Sequence, residues 1–79
     1  MERAQIIEKL FEIVCNGLDL DADEITLDAD LHEDFDADSL DMVDLIMDVE
    51  DEFGVEVPDE VLDKLVTVKD VVDYIEENM

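Results

Sequence analysis

DADSLDMVDLIMDVEDEF (residues 36–53) decides what kind of fold this chain can take. Its apolar residues recur at helical rather than alternating spacing. Turned by about 100° per residue, Met42, Leu45, Ile46, Val49 and Phe53 collect on one side. They predict the core face of a helix running from about Ser39 to Phe53 and stopping near Gly54. More apolar residues remain than one face can hold. Leu40, Val43 and Met47 form a second, narrower stripe roughly 140° from the first. Asp44 and Asp51 flank it on one edge and Glu50 on the other. An apolar centre inside a charged rim is what a helix-docking interface needs, and Met47 adds side-chain adaptability. The alternative is that a neighbouring segment, such as the preceding loop, covers the stripe. Periodicity leaves both readings open.

At the head of this helix, Asp38 as N-cap places Asp41 at N3, where the helix dipole favours negative charge. Ser39 is then the first helical residue, with its hydroxyl outward and free of capping. As a nucleophile it is poorly equipped. There is no G-x-S-x-G elbow, and the one histidine, His32, lies in an acidic loop without an evident orienting partner. The N–H groups and positive pole of a helix start do favour an anion. Ser39 is thus placed to carry a phosphate-containing group, which an enzyme would have to install against the surrounding carboxylates. A plain first-turn serine is the alternative.

Working outward, Ile6, Ile7, Leu10, Phe11, Ile13 and Val14 predict a helix from about Glu2 to Asn16, with Gly17 as its C-cap. Residues 18–38 show no sustained period. Ile25, Leu27, Leu31 and Phe35 read as anchors pinning a long loop to a core, with one short helical turn at DADEIT. A connection of this length in a compact domain is often functional. Val55-Glu56-Val57 alternates before Pro58, which forces its predecessor into an extended form. A short helix is expected from Asp59 to Lys64. Thr67 as N-cap with Asp70 at N3, and Val66 and Val71 at the staple positions, open a last helix whose stripe is Val68, Val71, Val72 and Ile75. The architecture is all-α: three main helices plus one short helix, with a long loop after the first.

Seventy-nine residues make one small domain, residues 1–79, and the 48% hydrophobic content argues against disorder despite 39% charged residues. A single cysteine, Cys15, rules out an internal disulfide and leaves too few ligands for a Cys/His zinc site. No stretch could span a bilayer, and MERAQIIEKLFEIV lacks the unbroken apolar core of a signal peptide. The expectation is a soluble, cytoplasmic monomer. Charge is the strongest compositional feature. Twenty-seven acids against four bases give −23, and the 21 acids between Lys9 and Lys64 are interrupted by no Lys or Arg. Binding to nucleic acid or anionic membrane is disfavoured. Protein partners should offer Lys/Arg patches, and association should weaken with salt.

HEDFDADSLDMVDLIMDVEDEFGVEVPDE (residues 32–60) closely resembles the acyl carrier proteins, whose hallmark is Asp-Ser-Leu at the start of the second of four helices. The likeness extends from the first helix to TVKDVVDYI (residues 67–75). It implies a four-helix bundle in which Ser39 carries a 4′-phosphopantetheine arm, donated by coenzyme A through a phosphopantetheinyl transferase (carrier-protein synthase). The arm's thiol would hold acyl groups as thioesters, making the chain a non-catalytic carrier. Asp38, Leu40, Asp41, Val43, Asp44, Met47, Glu50 and Asp51 fall where the family docks basic partners: the transferase, ketosynthase, acyltransferase and reductase enzymes. Ile46 and Val49 would line the interior that shelters acyl chains. Fatty-acid synthesis is the default pathway for a free-standing carrier; a polyketide or other secondary pathway is the alternative. One departure stands out. The family usually has glycine two residues before the Asp of the motif, and here it is Asp36. Met42 also sits where small or polar residues are common.

Two readings from other classes compete. DLDADEITLDAD (residues 19–30) places Asp at positions 1, 3 and 5 of a calcium loop, but Glu24 replaces the glycine at position 6 and Asp30 the glutamate at position 12. Weak divalent-cation binding that screens the carboxylates is the milder form, with no specific metal site. An acidic mimic of nucleic acid would leave the second apolar stripe unexplained.

Overall fold

The computed structural model describes residues 2–79. Four helices follow in order: α1 (Arg3–Leu18), α2 (Ser39–Phe53), α3 (Asp59–Leu62) and α4 (Val68–Asn78), with a 3₁₀ turn at Ala22–Glu24 between the first two. The architecture is the expected all-α one. Lys9 of α1 meets Glu52 near the end of α2, whereas Gly17 lies against Leu45 nearer its start, so the two helices run antiparallel. A Cβ on Gly17 would lie 3.0 Å from Leu45 Cδ1. The glycine sits at a close helix–helix approach.

All five residues assigned to the core face of α2 are buried. They meet Ile6, Leu10 and Val14 from α1 and Val68, Val71, Val72 and Ile75 from α4. Full burial of such a side chain contributes about 1.5–3 kcal/mol relative to leaving it in water. Ion pairs add little. Arg3–Asp73, Arg3–Glu76, Lys9–Glu52 and Lys69–Asp73, at 2.8–3.4 Å, are all well exposed and therefore screened.

The first helix ends differently from its sequence expectation. Gly17 is inside α1, which continues to Leu18, and Asp19 is the cap, left-handed at φ 56° and ψ 49°. Its N–H and that of Leu20 both return to the Cys15 carbonyl. The extra residues bring Leu18 and Leu20 against the core, and Asp tolerates the left-handed region better than most residues. Asp19→Gly should therefore stabilise the protein. It removes the Cβ penalty and a negative charge at the unfavourable helix pole, worth about 1–2 and 0.3–1 kcal/mol, against about 0.5–1 kcal/mol of added chain entropy. A rise of a few degrees in the thermal midpoint is expected; a fall would contradict this account of the cap.

The long loop is pinned by more than its apolar anchors. Ile25 and Leu31 are buried, and Leu27 and Phe35 are half-buried, as the pattern predicts. Beyond them, its backbone pairs with the segment that opens α4. Lys69 N–H donates to Leu27 O (2.9 Å), Val68 N–H to Ala29 O (3.2 Å) and Leu31 N–H to Val66 O (2.9 Å), around an antiparallel bridge between Asp30 and Thr67. Periodicity reads side chains, so these backbone bonds were invisible to it. Thr67 caps α4 as expected: its Oγ1 accepts from Asp70 N–H at 3.2 Å, and Asp70 Oδ2 accepts from Thr67 N–H at 3.1 Å. Val66 is 40% exposed, and its N–H donates to Asp70.

The third helix stops at Leu62, short of Lys64. Lys64 and Leu65 turn back by i→i−3 bonds to Val61 and Leu62, the tightening that ends short helices. The extended segment before it is held from both sides. Glu50 Oε2 accepts from Val57 N–H at 2.9 Å, and Tyr74 donates its hydroxyl to Glu56 O at 2.6 Å.

Candidate functional site

The site is built around the start of α2. Asp38 is extended, at φ −90° and ψ −176°, and its Oδ1 accepts from Asp41 N–H at 2.9 Å. Asp41 Oδ2 reaches back to Asp38 N–H at 3.4 Å. This reciprocal box does the capping. It leaves Ser39, the first residue of the helix, exposed, and no hydrogen bond of the fold uses its hydroxyl among the described residues. The flanking carboxylates are also turned toward backbone N–H groups, which compensates part of their charge at the point where a phosphate ester would sit. A group on Ser39 Oγ meets open solvent and the positive helix pole. The residues fit a phosphodiester-linked arm.

Beside the serine, the second stripe is exposed. Leu40 is 75%, Met47 59% and Val43 42% exposed, so no neighbouring segment covers them. Asp38, Asp44 and Asp51 are exposed around them, and Asp41 is half-buried. Glu50 differs from a plain rim residue: it is half-buried, with one oxygen committed to Val57. Met42 is only 2% exposed and belongs to the core rather than the rim. Ile46 and Val49 are likewise closed into the core. A groove of about 640 Å³ lies between α1 and α2, lined by Glu8, Lys9, Glu12, Asp48 and Glu52 among others.

The loop leading into Ser39 shows why its residues differ from a plain acidic run. Asp36 has φ 55°, the left-handed conformation that favours glycine. Aspartate is one of the few residues besides glycine that visits this region readily. Asp30 accepts from His32 N–H at 2.8 Å and Glu33 N–H at 2.9 Å. These bonds, with His32 nearby, hold its carboxyl below the usual carboxylate range. Because that value is depressed on folding, the stabilisation is full at neutral pH and is lost as the pH falls through the lowered value. The His32 ring does have an orienting partner, which local sequence could not reveal: Nδ1 lies 2.9 Å from Ala37 O. Its bond is to backbone rather than to Ser39.

Asp21 and Glu24 cap the 3₁₀ turn, with Asp21 N–H donating to Glu24 at 3.2 Å. Among the described residues, no group of three or more His, Cys, Asp or Glu side chains converges as a metal would require. None of their helices is long and apolar enough to cross a membrane. Cys15 is half-buried, and burial, with Asp21 and Glu24, pushes its thiol up, away from the reactive thiolate.

An exposed serine at a helix start, beside an acid-rimmed apolar stripe, is the arrangement a prosthetic-arm carrier needs. The family model described as the phosphopantetheine attachment site matches residues 8–75. The acyl carrier protein of Rubrobacter xylanophilus is 46% identical over 78 residues, covering 99% of this chain and 96% of that one. That of Thermosynechococcus vestitus is 49% identical over 75 residues, 95% and 93% of the two chains. A solved acyl carrier protein structure from Enterococcus faecalis superposes with a TM-score of 0.84 at 37% identity, covering both chains fully. This chain belongs to the acyl carrier protein family. Its cofactor is 4′-phosphopantetheine, and its function is to carry acyl groups as thioesters on that arm.

Proposed function

We propose that Ser39 is the attachment residue, and that the stripe beside it receives the enzymes that load and use the arm. The observation that carries this reading is the division of labour at the helix start. Asp38 and Asp41 satisfy the N–H groups, so the hydroxyl of Ser39 is left over. Its oxygen would replace the nucleotide half of coenzyme A as the second ester of the arm's phosphate. The chain carries rather than catalyses: what it contributes is an exposed hydroxyl, a favourable helix pole and a docking face.

Leu40, Val43 and Met47 supply the apolar centre of that face, with Asp38, Asp41, Asp44, Glu50 and Asp51 around it. Glu50 contributes through its remaining oxygen. Partners are the phosphopantetheinyl transferase and fatty-acid synthesis enzymes with basic patches, met by a monomer in the cytoplasm. The relatives' shared name favours this over a specialised secondary pathway.

Tandem mass spectrometry of protein loaded with coenzyme A and a phosphopantetheinyl transferase tests the attachment, with the arm expected on the peptide containing Ser39. An arm found elsewhere sinks the assignment. Docking has its own test. Met47→Ser should leave the fold intact, because the side chain is exposed, yet raise KM for the transferase about tenfold, the scale of one interface anchor. An unchanged KM would remove the stripe from the interface.

A further inference from the structure

We propose that His32 is a positioning residue for arm attachment: by holding the Ala37 carbonyl, it locks the loop that delivers Ser39 to the transferase. This rests on the assignment of Ser39 as the attachment site.

Asp36 carries an L side chain in left-handed backbone, at φ 55°. Such a residue persists where its surroundings over-determine it. Here the next residue supplies the constraint. Both polar groups of the Ala37 backbone are taken: its N–H donates to Leu31 O at 3.1 Å, and its carbonyl accepts from the His32 ring at 2.9 Å. The Ala37 methyl is buried. Leu31 is itself buried and tied through its N–H to Val66 O, and the His32 backbone is tied to Asp30. Ala37 is thereby referenced to the core, one residue before the cap Asp38 and two before Ser39.

The ring is exposed, so it does not earn its place by packing. Its chemistry is specific. A carbonyl oxygen only accepts, so Nδ1 must carry the hydrogen. That hydrogen is present in the Nδ1–H neutral tautomer and in the imidazolium alike, so the lock does not depend on ring charge. Without it, water solvates the Ala37 carbonyl and Asp36 is released to commoner conformations. Only part of the population then presents Ser39 correctly, and the rate falls by that fraction. The docking stripe is untouched, so binding should not change.

The test is the initial rate of arm transfer from coenzyme A to the whole chain by a phosphopantetheinyl transferase. His32→Ala and His32→Asn are compared with wild type at a temperature where circular dichroism shows all three folded. The Asn amide sits where Nδ1 does and can donate the same bond. His32→Ala should lower kcat about five- to tenfold, the scale of one hydrogen bond, with KM unchanged, and His32→Asn should recover most of the loss. Nitrogen-15 spectra of the neutral wild-type ring should show hydrogen on Nδ1; this needs no variant. A wild-type kcat in His32→Ala, a change in KM alone, failure of Asn to rescue, or an Nε2–H neutral ring each overturns the inference and leaves Ser39 standing. A wild-type chain that accepts no arm overturns both.

Discussion

Ser39→Ala is expected to remain at its starting mass after incubation with coenzyme A and a phosphopantetheinyl transferase, while the wild type gains one arm per chain. The loss should be complete rather than partial. Ser39 is the only serine in the chain, and the other hydroxyls are poorly placed to substitute. Thr67 Oγ1 caps α4 and Tyr74 donates to Glu56 O. Thr26 lies in the long loop, away from a helix start. The fold should not notice. Ser39 makes no capping bond, and alanine is the best helix former, so stability should change by no more than about 0.5 kcal/mol. Asp38→Ala keeps the hydroxyl but loses the N-cap acceptor and some stability, and because Asp38 also stands on the docking face it should slow the transfer rather than abolish it. Intact-mass spectrometry and thermal melts on both variants separate chemistry from capping. A mass gain in Ser39→Ala would refute the attachment site whatever the fold.

Raising ionic strength should stabilise this protein far more than an ordinary domain of its size. Folding gathers a net −23 into a body with a radius of gyration of 11.2 Å, whereas the unfolded chain would spread it over about 28 Å. Screening therefore relieves the folded state more. Between about 10 and 150 mM salt the Debye length falls from about 30 to 8 Å, below the separation of many of the carboxylates. Each 1 kcal/mol of repulsion relieved raises the midpoint by about 4–8 °C in a domain this small, and a total rise above about 10 °C is expected. Mg²⁺ should act at lower concentration than Na⁺ because each ion brings two charges. The opposing effect is loss of the exposed ion pairs made by Arg3, Lys9 and Lys69, which is minor. A melting point flat across both titrations would contradict the repulsion.

Sequence made the helices and the two faces of α2 legible because both are side-chain periodicities. The buried set Met42, Leu45, Ile46, Val49 and Phe53 and the exposed set Leu40, Val43 and Met47 fall out of one angular count. The composition of the long loop pointed to anchors but not to how they are held, since the bonds from Leu31, Val68 and Lys69 are backbone to backbone and carry no residue signature. The end of α1 was misplaced for a related reason. Glycine is the usual left-handed cap, but here Gly17 serves a close approach to Leu45 and Asp19 takes the cap. Glu50 looked like one more rim acid, because nothing local shows that an N–H seven residues on will claim it. At the site, the freedom of Ser39 was readable from the Asp38–Asp41 spacing. The His32–Ala37 bond spans five residues of irregular loop and was not.

The antiparallel arrangement of α1 and α2 has an electrical consequence. Arg3 reaches the far half of α4, and Lys9 pairs beside the last turn of α2. Both lie toward the end of the bundle opposite Ser39. Among the described residues, none of Asp38, Asp41, Asp44, Glu50 and Asp51 pairs with a Lys or Arg. The field of these five carboxylates is therefore not cancelled by a neighbouring cation, and it reaches out toward an approaching basic enzyme. Tumbling is biased before any contact forms, so a larger share of collisions begin on this face of α2.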